Sequence, residues 1–391
     1  MNNKEEFEAR KLLLRIIKNI INPKDELLSK IEISNEVQIA LYKIASRQDL
    51  AHLVGFECNK LGIITNKNIS DLFKKQQIMS VYRYERINYD YQEIKTTLSN
   101  EKIPFVPLKG AVIREYYPEP WMRTSCDVDV LVKKEDLEKA VCALKKSNRF
   151  VQKGKINYHD VSLFSPSQVH LELHFNIKEN IDYIDKLLEK VWDYCQSTKE
   201  NCYEYKQSNE FFYFHIISHI LYHFKSGGCG VRPFIDLFLL HKSFAFDQEK
   251  LNLMLTECGI STFYEQIMNL LDVWFNDKEH TELTLSMEDF IFTGGVYGSK
   301  ENQLATKKKT INKKKYILNR IFSPYDVIKN RYPILQKHKW LTPFYQVRRW
   351  FESLFSKKVY ELKKDIEIYN NIDDKTTEKI DKMFNELGIK I

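Results

Sequence analysis

The chain has 391 residues, 43% hydrophobic and 13% aromatic, which excludes a disordered polymer and leaves room for two or more folded domains. Lys and Arg exceed Asp and Glu by a formal +7, enough to favour anionic partners such as nucleotides but not the dense basic signature of a nucleic-acid binder. Seven scattered cysteines with no Cys-x-x-Cys pair argue against structural zinc and for a reducing, cytoplasmic setting; the acid-bearing first six residues lack a signal peptide's apolar core, and no apolar run approaches a membrane span.

Residues 1–100 read as an N-terminal helical region. Phe7, Leu12, Leu13, Leu14, Ile16, Ile17 and Ile20 recur at helical spacing until Asn22-Pro23 breaks the pattern. Further helices are expected over 37–46, 50–61 and 71–98, the last with a stripe of Val81, Tyr84, Ile87, Tyr91 and Ile94. This region is expected to be a scaffold packed against a core. Residues 101–180 read as that core, an α/β segment: strand 103–106, helix 111–117, strand 126–132, helix 135–147, then strands 149–152, 159–165 and 169–175. The proline-broken stretch 117–123 leads into the second strand and is expected to lie over the site.

Chemistry concentrates on two of these strands. In Cys126-Asp127-Val128-Asp129-Val130-Leu131-Val132, alternation puts Asp127 and Asp129 on one face, about 6.5–7 Å apart, with valines on the other. Two carboxylates so close stay ionised when a cation sits between them, and Mg²⁺ with substrate phosphates is the common case; an acidic solvent face on an edge strand is the plainer reading. In Val169-His170-Leu171-Glu172-Leu173-His174-Phe175 the same period sets Glu172 between two histidines. Upstream, Lys109-Gly110 falls between a short strand and a helical pattern, where a glycine lets backbone approach a phosphate and Lys109 adds positive charge. Arg123 is read equally as a phosphate or base contact and as a structural ion pair.

Residues 181–300 read as a helical domain completing the cleft. His215, His219 and His223 share a helix face; zinc ligation, a cleft lining and hydrogen-bonded core histidines all fit that spacing. Arg232 and Asp236 stand four apart, a spacing that suits a local ion pair. Residues 301–391 read as a basic linker and C-terminal helical region. The run Lys300, Lys307, Lys308, Lys309, Lys313, Lys314 and Lys315 is expected to be a solvated linker or mobile loop, with contact to an acidic or polyphosphate-bearing acceptor as the alternative. The aromatic stretch 340–354 is expected to pack in the core, with a membrane surface as the alternative, and the thin stripe Ile380, Met383, Phe384 and Leu387 to pack on the body or on another subunit.

A strand-end glycine before a helix, Asp-x-Asp on a strand and one acid on a later strand resembles the DNA polymerase beta nucleotidyltransferase superfamily, with matches at Gly110, Asp127, Asp129 and Glu172. More closely, Leu108-Lys109-Gly110, Arg123, Asp127-Val128-Asp129, Leu171-Glu172-Leu173-His174, His219, His223, Arg232 and Asp236, with a distal Pro324, Tyr332-Pro333, Leu341-Thr342-Pro343 and Arg348, are similar to the uncharacterised bacterial nucleotidyltransferase family, a resemblance that runs from about Leu41 to Trp350. Two departures stand out: Ala111 where the superfamily has Ser or Gly, and a longer gap from Gly110 to Asp127. The resemblance implies an α+β fold, a small mixed β-sheet core with flanking N- and C-terminal helical regions. It implies Mg²⁺ (or Mn²⁺) on Asp127, Asp129 and Glu172, which would also be the catalytic residues. Lys109, Gly110, Arg123, His174, His219, His223, Arg232 and Asp236 become nucleotide-binding candidates. The expected reaction moves a nucleoside monophosphate, AMP from ATP by preference, to an acceptor and releases pyrophosphate. Transfer of the γ-phosphate on the same scaffold and a non-catalytic helical binding protein are the alternatives. The acceptor would be a small molecule, sugar, peptide or protein; nucleic acid is the least supported.

Overall fold

The structure, a computed structural model, describes residues 3–23, 27–154, 156–200, 202–310, 313–354 and 358–390. The chain divides into two units: Met1–Tyr222 with Gly230–Thr284, and His223–Cys229 with Leu285–Ile391.

The first unit begins with helices α1 (Asn3–Ile21), α2 (Asn35–Arg47), α3 (Ala51–Leu61) and α4 (Lys67–Asn100). Two start on side-chain caps: Ser34 Oγ accepts from the Val37 amide and Asn66 Oδ1 from that of Ile69, each satisfying a first-turn N–H. Next come β1 (Phe105–Pro107), α5 (Gly110–Ile113), β2 (Asp127–Val132), α6 (Leu137–Asn148), β3 (Val151–Gln152), β4 (Asp160–Phe164) and β5 (His170–His174). The strands form one mixed sheet in the order β1-β2-β5-β4-β3. Within this sheet β2 and β5 pair in parallel and the other described neighbours are antiparallel.

Alternation along the strands decides which face is dry. Val128, Val130, Val132, Val161, Leu163, Leu171 and Leu173 all point to one face and are buried there with Ile87, Ile94 and Leu98 of α4 and Leu137, Ala140 and Leu144 of α6. The long N-terminal helix is thus part of the sheet's core, the scaffold role expected of it. A short hairpin, β6 (Cys195–Ser197) with β7 (Tyr205–Gln207), follows α7 (Asp182–Leu188). After it come α8 (Asn209–Lys225), α9 (Arg232–Ser243), α10 (Gln248–Glu257) and α11 (Ser261–Phe275), and α11 packs on α1.

The second unit is helical: α12 (Glu282–Gly294, from Leu285), α13 (Lys300–Thr310), α14 (Lys313–Ile321), α15 (Tyr325–Arg331), α16 (Ile334–Lys337), α17 (Thr342–Leu354), α18 (Lys358–Asn371) and α19 (Asp374–Glu386). The basic run expected as a linker is helical on both sides of residues 311–312, which lie outside the described residues, as do the side chains of Lys309 and Lys313. The reason is an inner face among the lysines. Asn302, Leu304, Ala305 and Thr306 are buried as α13 packs on α18 and α19, while Lys308 Nζ donates to Ile372 O (2.9 Å) and Asp374 Oδ1 (2.7 Å). The C-terminal stripe Ile380, Met383, Phe384 and Leu387 is buried. Among the described residues, no helix is long and apolar enough to cross a membrane.

Candidate active site

The face of the sheet opposite the core carries the polar residues. The parallel register sets Asp127 beside His170, Asp129 beside Glu172 and Leu131 beside His174. Side chains at i and i+2 share a face, so Asp127, Asp129, His170, Glu172 and His174 converge there. Among the described residues, two groups offer ligand atoms all within 4.8 Å of one another: Asp127–His170–Glu172 and Asp129–Glu172–His174. Glu172 belongs to both.

The electrostatics of these groups suit a cation. Burial, with the charges of Asp129 and Glu172 added, pushes the Asp127 carboxyl up to about 6. Asp129 is buried more deeply. Burial alone would raise it, but the Lys109 ammonium and the hydrogen bond from His174 hold it well below the usual carboxylate range. His174 Nε2 lies 2.8 Å from Asp129 Oδ1 and 3.5 Å from Glu172 Oε2. Burial lowers that imidazole's affinity for a proton, and these two carboxylates outweigh it and raise the group to about 9. His174 in turn holds Glu172 below its ordinary value. His170 Nδ1 sits 3.9 Å from Glu172 Oε1, and its buried Nε2 has no hydrogen-bond partner among the described residues. Three crowded carboxylates form the hard-oxygen set that Mg²⁺ or Mn²⁺ prefers.

Lys109 ends β1. The Leu108 amide donates to Asp129 O (3.1 Å), which fixes this turn against the acid strand. Lys109 itself has φ 41° and ψ −112°, a backbone conformation that non-glycine residues rarely adopt. Burial works against its charge, but Asp129, Glu179, Glu172 and Asp127 outweigh it and hold the ammonium above its ordinary value. Gly110 follows because the turn is crowded: a Cβ there would lie 3.1 Å from Arg123 Nη1. The helix expected over 111–117 is a single turn, α5, followed by a 3₁₀ turn over Arg114–Tyr116. Buried Arg114 turns the chain back, its Nε donating to Gly110 O (2.8 Å) and its Nη2 to Ser125 Oγ (3.1 Å). One turn carries little dipole, so positive charge at this corner comes from Lys109.

His219 of α8 is held through Nδ1 by Glu179 Oε1 at 2.7 Å. Burial pushes the Glu179 carboxyl up, and the His219 ring outweighs it, lowering the carboxyl to about 2. Charge on His219 also bears on Asp129. Glu179 was not among the sequence candidates, since it lies in irregular chain after β5 where no period marks it. His215 is fully buried, both its ring nitrogens lacking a hydrogen-bond partner among the described residues. His223 belongs to the second unit, where its carbonyl accepts from the Ser226 and Gly228 amides. The three helix histidines form no metal-ligand group among the described residues.

Arg123, Arg232 and Asp236 are engaged by protein. Arg123 Nη2 lies 2.7 Å from Asp236 Oδ2, with Nε 3.1 Å from both carboxylate oxygens, and the Tyr117 hydroxyl donates to Asp236 Oδ1 (2.7 Å). Arg232 pairs not with Asp236 but with Asp49 (2.8 Å), and Thr124 Oγ1 also donates to Asp49 (2.9 Å). His52 Nε2 meets Met122 O at 2.8 Å, and Ser80 Oγ donates to Trp121 O at 2.8 Å. The stretch expected over the site is therefore tied down against α3, α4 and α9, with Tyr117, Met122 and Thr124 buried.

A small mixed sheet with three carboxylates on one face and helices on the other is the α+β architecture of a nucleotidyltransferase core. Residues 36–276 match the model of a family described as uncharacterised nucleotidyltransferase, and the chain belongs to that family of transferases. No curated protein and no solved structure matches the chain.

Proposed function

We propose that this chain is a divalent-metal-dependent nucleotidyltransferase that moves a nucleoside monophosphate, AMP from ATP by first expectation, to an acceptor hydroxyl or similar group. The observation that carries this reading is the pairing of Asp129 with Glu172 across two parallel strands, with Asp127 one step along the same face. Asp127, Asp129 and Glu172 would hold Mg²⁺ or Mn²⁺. When bound, such an ion withdraws charge from the α-phosphate and the departing pyrophosphate. Lys109 adds a fixed positive charge for the triphosphate at the strand end. His174 aims two of the three carboxylates, and the Arg123–Asp236 pair fixes the turn around Gly110. The acceptor oxygen attacks the α-phosphorus as the bond to the β-phosphate oxygen breaks, and Glu172 is the candidate base for the acceptor's proton. A small molecule, sugar, peptide or protein in the cytoplasm would suit as acceptor.

Calorimetric titration with ATP, GTP, CTP and UTP, with and without Mg²⁺ or Mn²⁺, tests the reading, alongside separate assays for pyrophosphate and nucleoside diphosphate. Metal-dependent binding of a nucleotide with release of pyrophosphate is expected, both abolished in Asp129→Asn with the circular dichroism unchanged. Diphosphate release would assign γ-phosphate transfer instead. Absence of nucleotide binding in the unaltered protein would leave a helical binding protein.

A further inference from the structure

In the second unit, α17 is amphipathic but only one of its faces is packed. Tyr345 lies against the Ile328–Tyr332–Leu335 cluster, Gln346 Nε2 donates to Ser323 O (2.5 Å), and Arg348 and Arg331 both pair with Glu352. On the other face Phe344, Val347 and Phe351 follow one another at i, i+3 and i+7, a single helical stripe, and Trp340 stands in the turn that leads into it. All four are exposed, Trp340 at 77%, Phe344 at 66% and Phe351 at 61%. The packing expected of this stretch from sequence falls to Tyr345, to Gln346 and to Trp350, whose ring lies edge-on to Phe322 and whose Nε1 donates to Ile321 O. Exposed large apolar side chains in a row mark an interaction surface.

Charge says what meets it. Residues 300–354 contain fourteen Lys and Arg against three Asp and Glu, an excess larger than the +7 of the whole chain. We propose that this face docks on an anionic lipid bilayer, with Trp340, Phe344, Val347 and Phe351 at the headgroup boundary and Lys and Arg of the same segment, exposed Lys337 and Lys339 beside Trp340 among them, on the acidic headgroups. An anionic bilayer supplies both things the surface asks for, negative charge and an apolar layer beneath it. Trp and Phe suit that boundary, and Trp is the residue most at home there. A second copy of the chain would offer the stripe an apolar mate but would bring two strongly basic segments together. A single-stranded nucleic acid would take the charge but offer bases to stack, which suits a platform of rings better than a stripe interrupted by Val347.

Sedimentation of the full chain with vesicles tests this. Binding is expected to vesicles of phosphatidylcholine with phosphatidylserine, not to phosphatidylcholine alone, and is expected to weaken as salt rises. Phe344→Ser with Phe351→Ser should lower vesicle affinity about tenfold or more, whereas Phe344→Leu with Phe351→Leu should retain it. Both variants should keep the far-ultraviolet circular dichroism and melting temperature of the parent, because the replaced side chains are exposed. Lack of binding to the acidic vesicles, or binding that the serine variant leaves unchanged, would overturn the proposal. So would a concentration-dependent dimer abolished by the serine variant, or tighter binding to single-stranded RNA than to acidic vesicles at the same salt.

Discussion

His174 is the residue on which the carboxylate geometry turns. It touches two of the three acids from one ring nitrogen, so it fixes their separation as well as their orientation. A group that orients metal-binding carboxylates is worth roughly 10–100-fold in metal affinity. His174→Ala is therefore expected to weaken Mn²⁺ binding by about that factor, read by titration calorimetry. Glu179 gives a stability prediction. Its native carboxyl lies at about 2 against an ordinary 4.5, so the folded state holds fewer protons than the unfolded one between those values. The stabilisation is present above about pH 4.5 and is lost as pH falls toward 2, with an upper bound of about 3 kcal/mol. Urea titrations at descending pH should show Glu179→Gln losing less stability than the parent over that window. Sequence alone made Asp127, Asp129 and Glu172 legible because a period of two marks a strand face whatever packs on it. Glu179 was invisible because its position beside His219 is set by tertiary folding, and no local pattern carries that.

At the scale of elements, the pair Arg123–Asp236 joins the loop before β2 to α9 across 113 residues of chain. Asp236 is 2% exposed, and removing one partner of a buried pair leaves the other uncompensated. Asp236→Asn should cost roughly 3 kcal/mol in urea unfolding, and Arg123→Met with Asp236→Leu should recover part of it. In the second unit, Leu304→Ala on α13 should cost about 2–5 kcal/mol, because the side chain is fully buried. The main strands and long helices could be read from periodicity to within a few residues. The hairpin β6–β7 falls in the stretch read as wholly helical, and two further misread elements share a cause. The helix after Gly110 stops early because buried Arg114 redirects the chain, and the basic run is helical because four residues among its lysines meet α18 and α19. Both outcomes depend on distant partners that composition does not reveal.

At the scale of the molecule, the family match ends at residue 276 and the strongly basic stretch begins at 300. Trp340 and Trp350 lie in the second unit, and Trp121, Trp192 and Trp274 in the first. Two units need not unfold together. Asp236→Asn should shift a transition reported by the first unit and Leu304→Ala one reported by the second, so fluorescence and circular dichroism curves of the two variants should separate in different directions. The parallel ladder between β2 and β5 has its own consequence for inheritance. A slip of one residue would move Glu172 away from Asp129, but it would also turn Leu171 and Leu173 out of the core and His170 and His174 into it. Carboxylate alignment and hydrophobic burial are thus one specification written twice on the same strand. A mutation that disturbs the alignment through the register announces itself as a folding defect, so selection for a stable chain also guards the placement of the three acids.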